Sequence, residues 1–571
     1  MHSTYAEKTL AKILGYGSAL TSLLVLSASV TDPVNAPKLA ILGAVGSAAT
    51  GILLANLKAF ETKSSKYSGL IALIFLIAAT SATFFSESPL SQNLYGVYGR
   101  NNGLITYLFL IGIFLSATIF SKISSIETIS KGLLLAGLVN IIYCGWVILF
   151  GDFIGWSNPY GNILGTFGNP NFIGAFLGIF LSAYVAYSAS TQKSKIWKWS
   201  LLFVVPITLF EIFDSSAIQG RVVAAGGLAL VVFSYLWFRI RKLALGLYSL
   251  AVLTVGLFSV LGALQIGPLT QYIYKTSVSL RGQYWLAGWN AGESHPVTGL
   301  GMDALGDWYR RVRDPQAIIL PGVNTVVNAA HNVFMDMFAF GGWPLLLAYV
   351  ALVLLSAVAL IRTFLRLKEY DGVFTSISVA WIGYQVQSII SINQIGLAIW
   401  GWLLGGALIA YERITRPAYV SSLESMDKAP QRKRKNLLAN NKGAESKTLL
   451  ASSACALVGL LIALPPLVAD SKWKKALNGQ SVAAIEATMK PGYFNLQSVN
   501  KYVTNIQLLE QNNLQDLAHK YALEAVAWNP QSYDLWRFLY FIAKSTPEER
   551  ELALSKMREL DPLNPDVTVP K

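Results

Sequence analysis

Four short stretches carry the residue types that proton transfer and anion binding require. Ala330-His331-Asn332-Val-Phe-Met-Asp336 runs through Gly341-Gly342 into an apolar block. A neutral imidazole, with an ordinary pKa of about 6.5, accepts a proton from a hydroxyl, and Asn332 and Asp336 are close enough in sequence to support it. Arg281-Gly-Gln-Tyr284-Trp285 leads to Trp289-Asn290 and then to the turn His295-Pro-Val-Thr-Gly-Leu-Gly301. Arginine presents a bidentate fork to phosphate. Aromatic faces stack on sugar rings, although tryptophans near a membrane also serve as interface anchors. Glu211-Ile-Phe-Asp-Ser-Ser-Ala-Ile-Gln-Gly-Arg221 puts an arginine at the start of an apolar block. An ionisable group kept there against its desolvation cost marks function; the plainer reading is an ion pair with Asp214 or Glu211. Gly165-Thr-Phe-Gly-Asn169-Pro-Asn171 reads first as a helix start.

The elements that must position these residues are membrane helices. The chain has 571 residues, of which 53% are hydrophobic and 13% charged. Its apolar residues come in blocks of about 20, enough to cross roughly 30 Å of hydrocarbon as a helix, and in lipid the backbone must satisfy its own hydrogen bonds. The fold class is therefore all-α, a polytopic bundle of about thirteen spans by block length. They lie near 11–30, 38–57, 67–86, 103–121, 131–150, 171–190, 198–214, 221–238, 243–263, 337–361, 374–391, 395–411 and 448–469.

The net charge of +14 does not point to nucleic acid, because the cations fall in alternate loops. Lys58, Lys63 and Lys66; Lys122 and Lys131; Lys193, Lys195 and Lys198; Arg239, Arg241 and Lys242; and Arg362, Arg366 and Lys368 mark one side. The loops near 31–37, 87–102 and 151–170 hold few. The positive-inside rule makes the first set cytoplasmic, and the run Arg432-Lys-Arg-Lys435 suits anionic lipid. The N-terminus is expected in the cytoplasm, with the 264–336 loop and the segment after 469 outside. The first apolar block is full length and lacks a small-residue cleavage signature, so it reads as a span. Cys144 and Cys455 each fall in a span and suggest neither a disulfide framework nor a metal site.

Residues 1–411 read as one membrane domain with a long insertion at 264–336, expected to be folded, mostly helical and lying on the membrane surface. Residues 412–447 read as a basic cytoplasmic linker, 448–469 as the last span and 470–571 as an outer helical tail. Within that tail, Ala522-Leu-Glu-Ala-Val-Ala-Trp-Asn-Pro530 and Ala553-Leu-Ser-Lys-Met-Arg-Glu-Leu-Asp-Pro562 look like copies of one helix–proline unit. Their spacing is near the ~34 residues of tetratricopeptide repeats. The tail reads equally as a protein-binding arm or as a helical cap on the membrane domain.

An arginine before a mid-chain span, Arg-x-x-Tyr-Trp, Pro-x-x-Gly-x-Gly and a closing His-Asn occur here in that order. The combination resembles the O-antigen ligase family, which includes some protein O-oligosaccharyltransferases and polymerases, and the Gly-Asn-Pro-Asn stretch is also similar to it. The resemblance spans roughly 30–411 and implies a bundle like that of other polyprenyl-dependent glycosyltransferases. It implies an inverting, metal-independent transfer from an undecaprenyl-diphosphate-linked glycan to a hydroxyl on a lipid, glycan or protein, at the outer face of the inner membrane and without a cofactor. Carried over by position, His331 orients or deprotonates the acceptor hydroxyl, and Arg221 and Arg281 hold the diphosphate. Tyr284, Trp285, Asn332 and Asn169 would contact substrate. The catalytic three are expected to converge in one outer cavity. The span after 447 and the helical tail lie outside the family pattern, which leaves the acceptor open. The alternative class is a transporter of a small anion or of the lipid-linked glycan, which an intramembrane polar path would favour. A scaffold working through its tail is a third reading.

Overall fold

The computed structural model describes residues 4–56, 63–190, 193–419, 441–479 and 481–568. The basic run at 432–435 and most of the 412–447 linker lie outside these described residues. Among the described residues the secondary structure is helical, with no β-strand. Each expected span corresponds to a helix, and among the described residues 11 helices are long and apolar enough to cross a membrane. The expected spans that fall short of that standard are Thr4–Leu23, which carries Glu7, Lys8 and Lys12, and Leu104–Thr118, with 15 residues. The first helix also stops at Leu23, well before residue 30, and the chain turns. There Asp32 accepts from the backbone N–H groups of Val34, Asn35 and Ala36 and so starts the next helix.

The Ile395–Ile414 helix is buried along its whole length and forms the centre of the bundle. The Lys242–Ala263 helix, by contrast, buries only Gly262. Helices approach closely where small residues face each other, the packing mode that suits a lipid environment. A Cβ at Gly43 would meet the Gly459 carbonyl, and one at Gly220 would meet the Gly174 backbone. The Asn441–Ala463 helix is thereby held against Asn35–Ala55, with the Ser452 hydroxyl donating to the Ala48 carbonyl.

Polar contacts sort to the two ends of the bundle. At one end Glu7 accepts from the backbone of Ser121 and Lys122, Glu127 pairs with Lys193, and Glu412 pairs with Arg366 and Arg416. At the other, Asn35 donates to the Gly99 carbonyl, Asn102 to Asn393, and Arg281 to Ile390. This second end carries the 264–336 segment, with helices at Thr270–Ile273, Thr276–Ser294 and Leu305–Val312 joined by irregular chain.

The C-terminal helices form a body with their own apolar core, around Tyr502, Tyr521, Trp536 and Met557. That body docks on Leu305–Val312 through buried charge. Asp561 receives Arg310 Nη1 at 2.9 Å and Arg313 Nη2 at 2.6 Å, and the Arg313 and Asp561 side chains are fully buried.

Candidate functional site

The Pro-Val-Thr-Gly-Leu-Gly turn lies on a break in the Val333–Arg366 helix. Gly341 and Gly342 depart from helical geometry there, with φ +63° at Gly342, and free the carbonyls below them. Leu300 N–H donates to the Ala339 carbonyl at 2.9 Å and Gly301 N–H to Phe340 at 3.0 Å, while Trp343 N–H donates back to Pro296 at 2.8 Å. The positive φ of Gly299 and Gly342 and the lack of room for a Cβ at either explain the glycines. The turn delivers Asp303, whose Oδ2 accepts from Val97 N–H at 2.8 Å in the loop that carries Arg100.

His331 lies in a neighbouring turn with φ +56°, a left-handed conformation for a non-glycine residue. The turn is tied down on both sides. Ala330 N–H donates to Asp336 Oδ1 at 2.6 Å, and Asn332 caps the following helix by accepting from Phe334 and Met335 N–H. Trp285 Nε1 donates to the His331 carbonyl at 3.4 Å, and the Tyr284 ring lies 5.2 Å from the imidazole. One turn back on the same helix, Arg281 donates through Nε to the Ile390 carbonyl at 2.8 Å and through Nη1 to Ser277 at 3.1 Å.

Arg100 and Arg281 share this group with Asp303 and Asp336, and the charges acting on His331 are the two arginines. Burial, then the positive fields of Arg100 and Arg281, lowers the His331 pKa to about 4. The imidazole is therefore neutral near pH 7 and accepts hydrogen bonds. Burial also lowers the Arg100 pKa, opposed by Asp303 and Asp336, and its Nη1 has no protein partner. The Asp303 carboxyl is pushed to about 6 by burial, against the pull of Arg100 and two backbone N–H groups.

The structure thus brings together His331, Arg281, Tyr284, Trp285 and Asn332, and adds Arg100, Asp303 and Asp336. Asn332 acts as a helix cap, and Trp285 reaches the His331 backbone. Arg100 was missed by the sequence reading, although it is a cation in a loop otherwise poor in them.

Arg221 belongs to an adjacent group. Its Nη2 donates to the Phe213 carbonyl at 3.4 Å, its guanidinium carbon lies 4.8 Å from the Phe213 ring, and Nε is buried without a protein partner. Among the described contacts it forms no ion pair with Asp214 or Glu211, so the plainer expectation for it is not met. Asn169 caps the Pro170–Ser188 helix by accepting from Asn171 N–H and donates to the Tyr160 hydroxyl at 3.2 Å. The Gly372–Ile390 helix connects the groups. It packs on Val223 at Gly383, and its last carbonyl holds Arg281.

Residues 207–350 match the family model described as O-antigen ligase. The chain carries an O-antigen ligase domain. The match runs from before Arg221 to beyond the Gly341-Gly342 break, so it contains Arg221, Arg281 and His331 and leaves out Arg100 and the C-terminal body. An O-antigen ligase domain implies an enzyme of glycosyltransferase type, built here into a multi-pass membrane protein. None of the curated proteins matches the chain.

Proposed function

We propose that this protein transfers a glycan from undecaprenyl diphosphate to an acceptor hydroxyl at the outer face of the inner membrane. The observation that carries the reading is a neutral His331 beside Arg281, both within the O-antigen ligase match, with Arg100 joining them from outside it. In this reaction the acceptor hydroxyl donates its proton to the imidazole of His331. Its oxygen forms a bond to the anomeric carbon from the face opposite the diphosphate. The bond from that carbon to the diphosphate oxygen breaks, the electron pair leaves with the diphosphate, and the configuration inverts.

Arg281 and Arg100 lie where that developing charge needs preorganised donors in a water-poor site, and Arg221 at the neighbouring helix start extends the cationic surface. Arg100 Nη1 and Arg221 Nε, buried without protein partners, suit phosphate oxygens. Between Ile123–Phe150 and Lys195–Asp214 runs an apolar groove lined by Ile142, Trp146, Leu149, Ile207 and Phe210. It suits a polyprenyl chain. On this reading the N-terminus is cytoplasmic, and the 264–336 segment and the C-terminal body are outside, as the distribution of cations implies.

The test is transfer by the purified full chain in detergent, from an undecaprenyl-diphosphate glycan to hydroxyl acceptors. Wild type is expected to transfer. His331→Ala, Arg281→Ala and Arg100→Ala are expected to lose transfer while still eluting as folded protein. Full activity in all three variants would overturn the assigned site.

A further inference from the structure

A cavity of about 320 Å³ lies between loops at one end of the helical bundle and the C-terminal body. Its walls include the loop Gly96–Asn101, the segment containing Asn328, and the tail residues Trp473, Gln497 and Tyr533. Two of these walls are shared with the His331 site. Arg100 lies in the first loop, and His331 follows Asn328 by three residues. We infer that this cavity binds an oligosaccharide chain, so that the C-terminal body serves as the second half of a glycan-binding cleft.

Three features of the lining select that chemistry. First, Ser91, Asn328, Ser498 and the exposed Asn500 place hydroxyl and amide groups along the lining. Such groups both donate and accept hydrogen bonds, as sugar hydroxyls do. Second, the lining carries the carboxylates Asp32, Asp307, Asp470 and Asp534 against the cations Arg310 and Lys501. That balance disfavours a phosphate or an acidic peptide and accepts a neutral polyol. Third, Tyr95, Tyr98, Trp473 and Tyr533 supply aromatic surface beside these polar groups, the mixture of apolar faces and fixed polar atoms expected of a ligand pocket. The carboxylates are already engaged and rigid. Asp470 accepts from Thr31 and Asp32 N–H, and Asp307 from Ser88 and Gln92. The cavity is therefore shaped before any ligand enters.

The inference deepens the transfer reading and rests on it for the direction in which the glycan runs. The probe is a set of reducing-end fluorescent oligosaccharides, released by mild acid from the producing cell's lipid-linked glycans. Binding to the full chain is followed by fluorescence anisotropy. Wild type and His331→Ala are expected to bind alike. Asn328→Leu, which removes a lining amide, and Asn500→Trp, which fills the exposed rim, are expected to bind about tenfold more weakly. Undiminished binding in both variants, or displacement by a Ser/Thr-rich peptide and not by excess unlabelled oligosaccharide, would overturn the inference. In the transfer assay, free oligosaccharide competing with the donor assigns the cavity to the donor glycan, and competition with the acceptor assigns it to the acceptor. Binding without transfer would count against the catalytic reading alone; transfer without binding would count against the cavity alone.

Discussion

The imidazole of His331 lies against the ring of Tyr284, with centroids 5.2 Å apart and planes inclined by 31°. Tyr284 is itself buried, packed on Ala287, Tyr309 and Val327. The aromatic contact therefore fixes the plane of the imidazole from a rigid helix. Such contacts contribute about 0.5–1.5 kcal/mol beyond buried area. Tyr284→Phe is expected to keep transfer close to wild type. Tyr284→Leu is expected to lower kcat by about two- to tenfold, measured in the detergent transfer assay.

The depressed pKa of His331 predicts an unusual pH profile. The free enzyme holds the neutral base down to about pH 4, so kcat/KM is expected to fall only as the pH drops through that value. Bound diphosphate offsets the charges of Arg100 and Arg281, which stabilises the imidazolium. The acid limb of kcat, which reports the enzyme–substrate complex, is therefore expected at higher pH than that of kcat/KM. Coincident limbs near 6.5 would contradict the cationic environment.

Arg100 acts on the same titration. Removing its positive charge lets His331 protonate more easily, so Arg100→Ala is expected to move the acid limb of any residual kcat/KM to higher pH. It is also expected to lower kcat by about 10²–10³, the usual cost of losing one oxyanion donor. A purely structural role would lower activity without moving the limb.

The helix break makes a sharper structural prediction. Gly342 has φ +63°, and a Cβ there would collide with the Pro296 carbonyl. Gly342→Ala is expected to cost about 1–3 kcal/mol, seen as a lower Tm and lost transfer. Gly246, with open space around it, is the control: Gly246→Ala is expected to leave Tm unchanged or slightly raised.

Docking of the C-terminal body centres on a buried carboxylate that receives two arginines. Asp561→Ala leaves Arg310 and Arg313 buried without their shared partner, a loss worth about 3–5 kcal/mol for a broken buried pair. Faster proteolysis of the 481–568 segment, with the membrane domain intact, is the expected outcome.

By itself the sequence determined the class of the protein and most of its helices. Apolar blocks long enough to cross a bilayer leave few alternatives to helices. The alternating cations predicted an order of loops that agrees with the sorting of polar contacts to the two ends of the bundle. The local signal at Asn169 also told true as a helix start, because capping needs only a short polar side chain next to its own helix. His331 and Arg281 stood out as candidates because a few motifs occur in a fixed order. Only the tertiary structure decided which groups meet. Arg100 stands far from His331 along the chain, and its approach depends on the Pro-Val-Thr-Gly-Leu-Gly turn settling on the Gly341-Gly342 break. Arg221 found Phe213 rather than a carboxylate, a choice set by how two helix ends pack. The tail became a wall of a cavity, beside the pairing of Arg310 and Arg313 with Asp561. The approach of Arg100 to His331 and the docking of the tail are long-range contacts, and a one-dimensional pattern records periodicity and local propensity but not which distant surfaces are complementary.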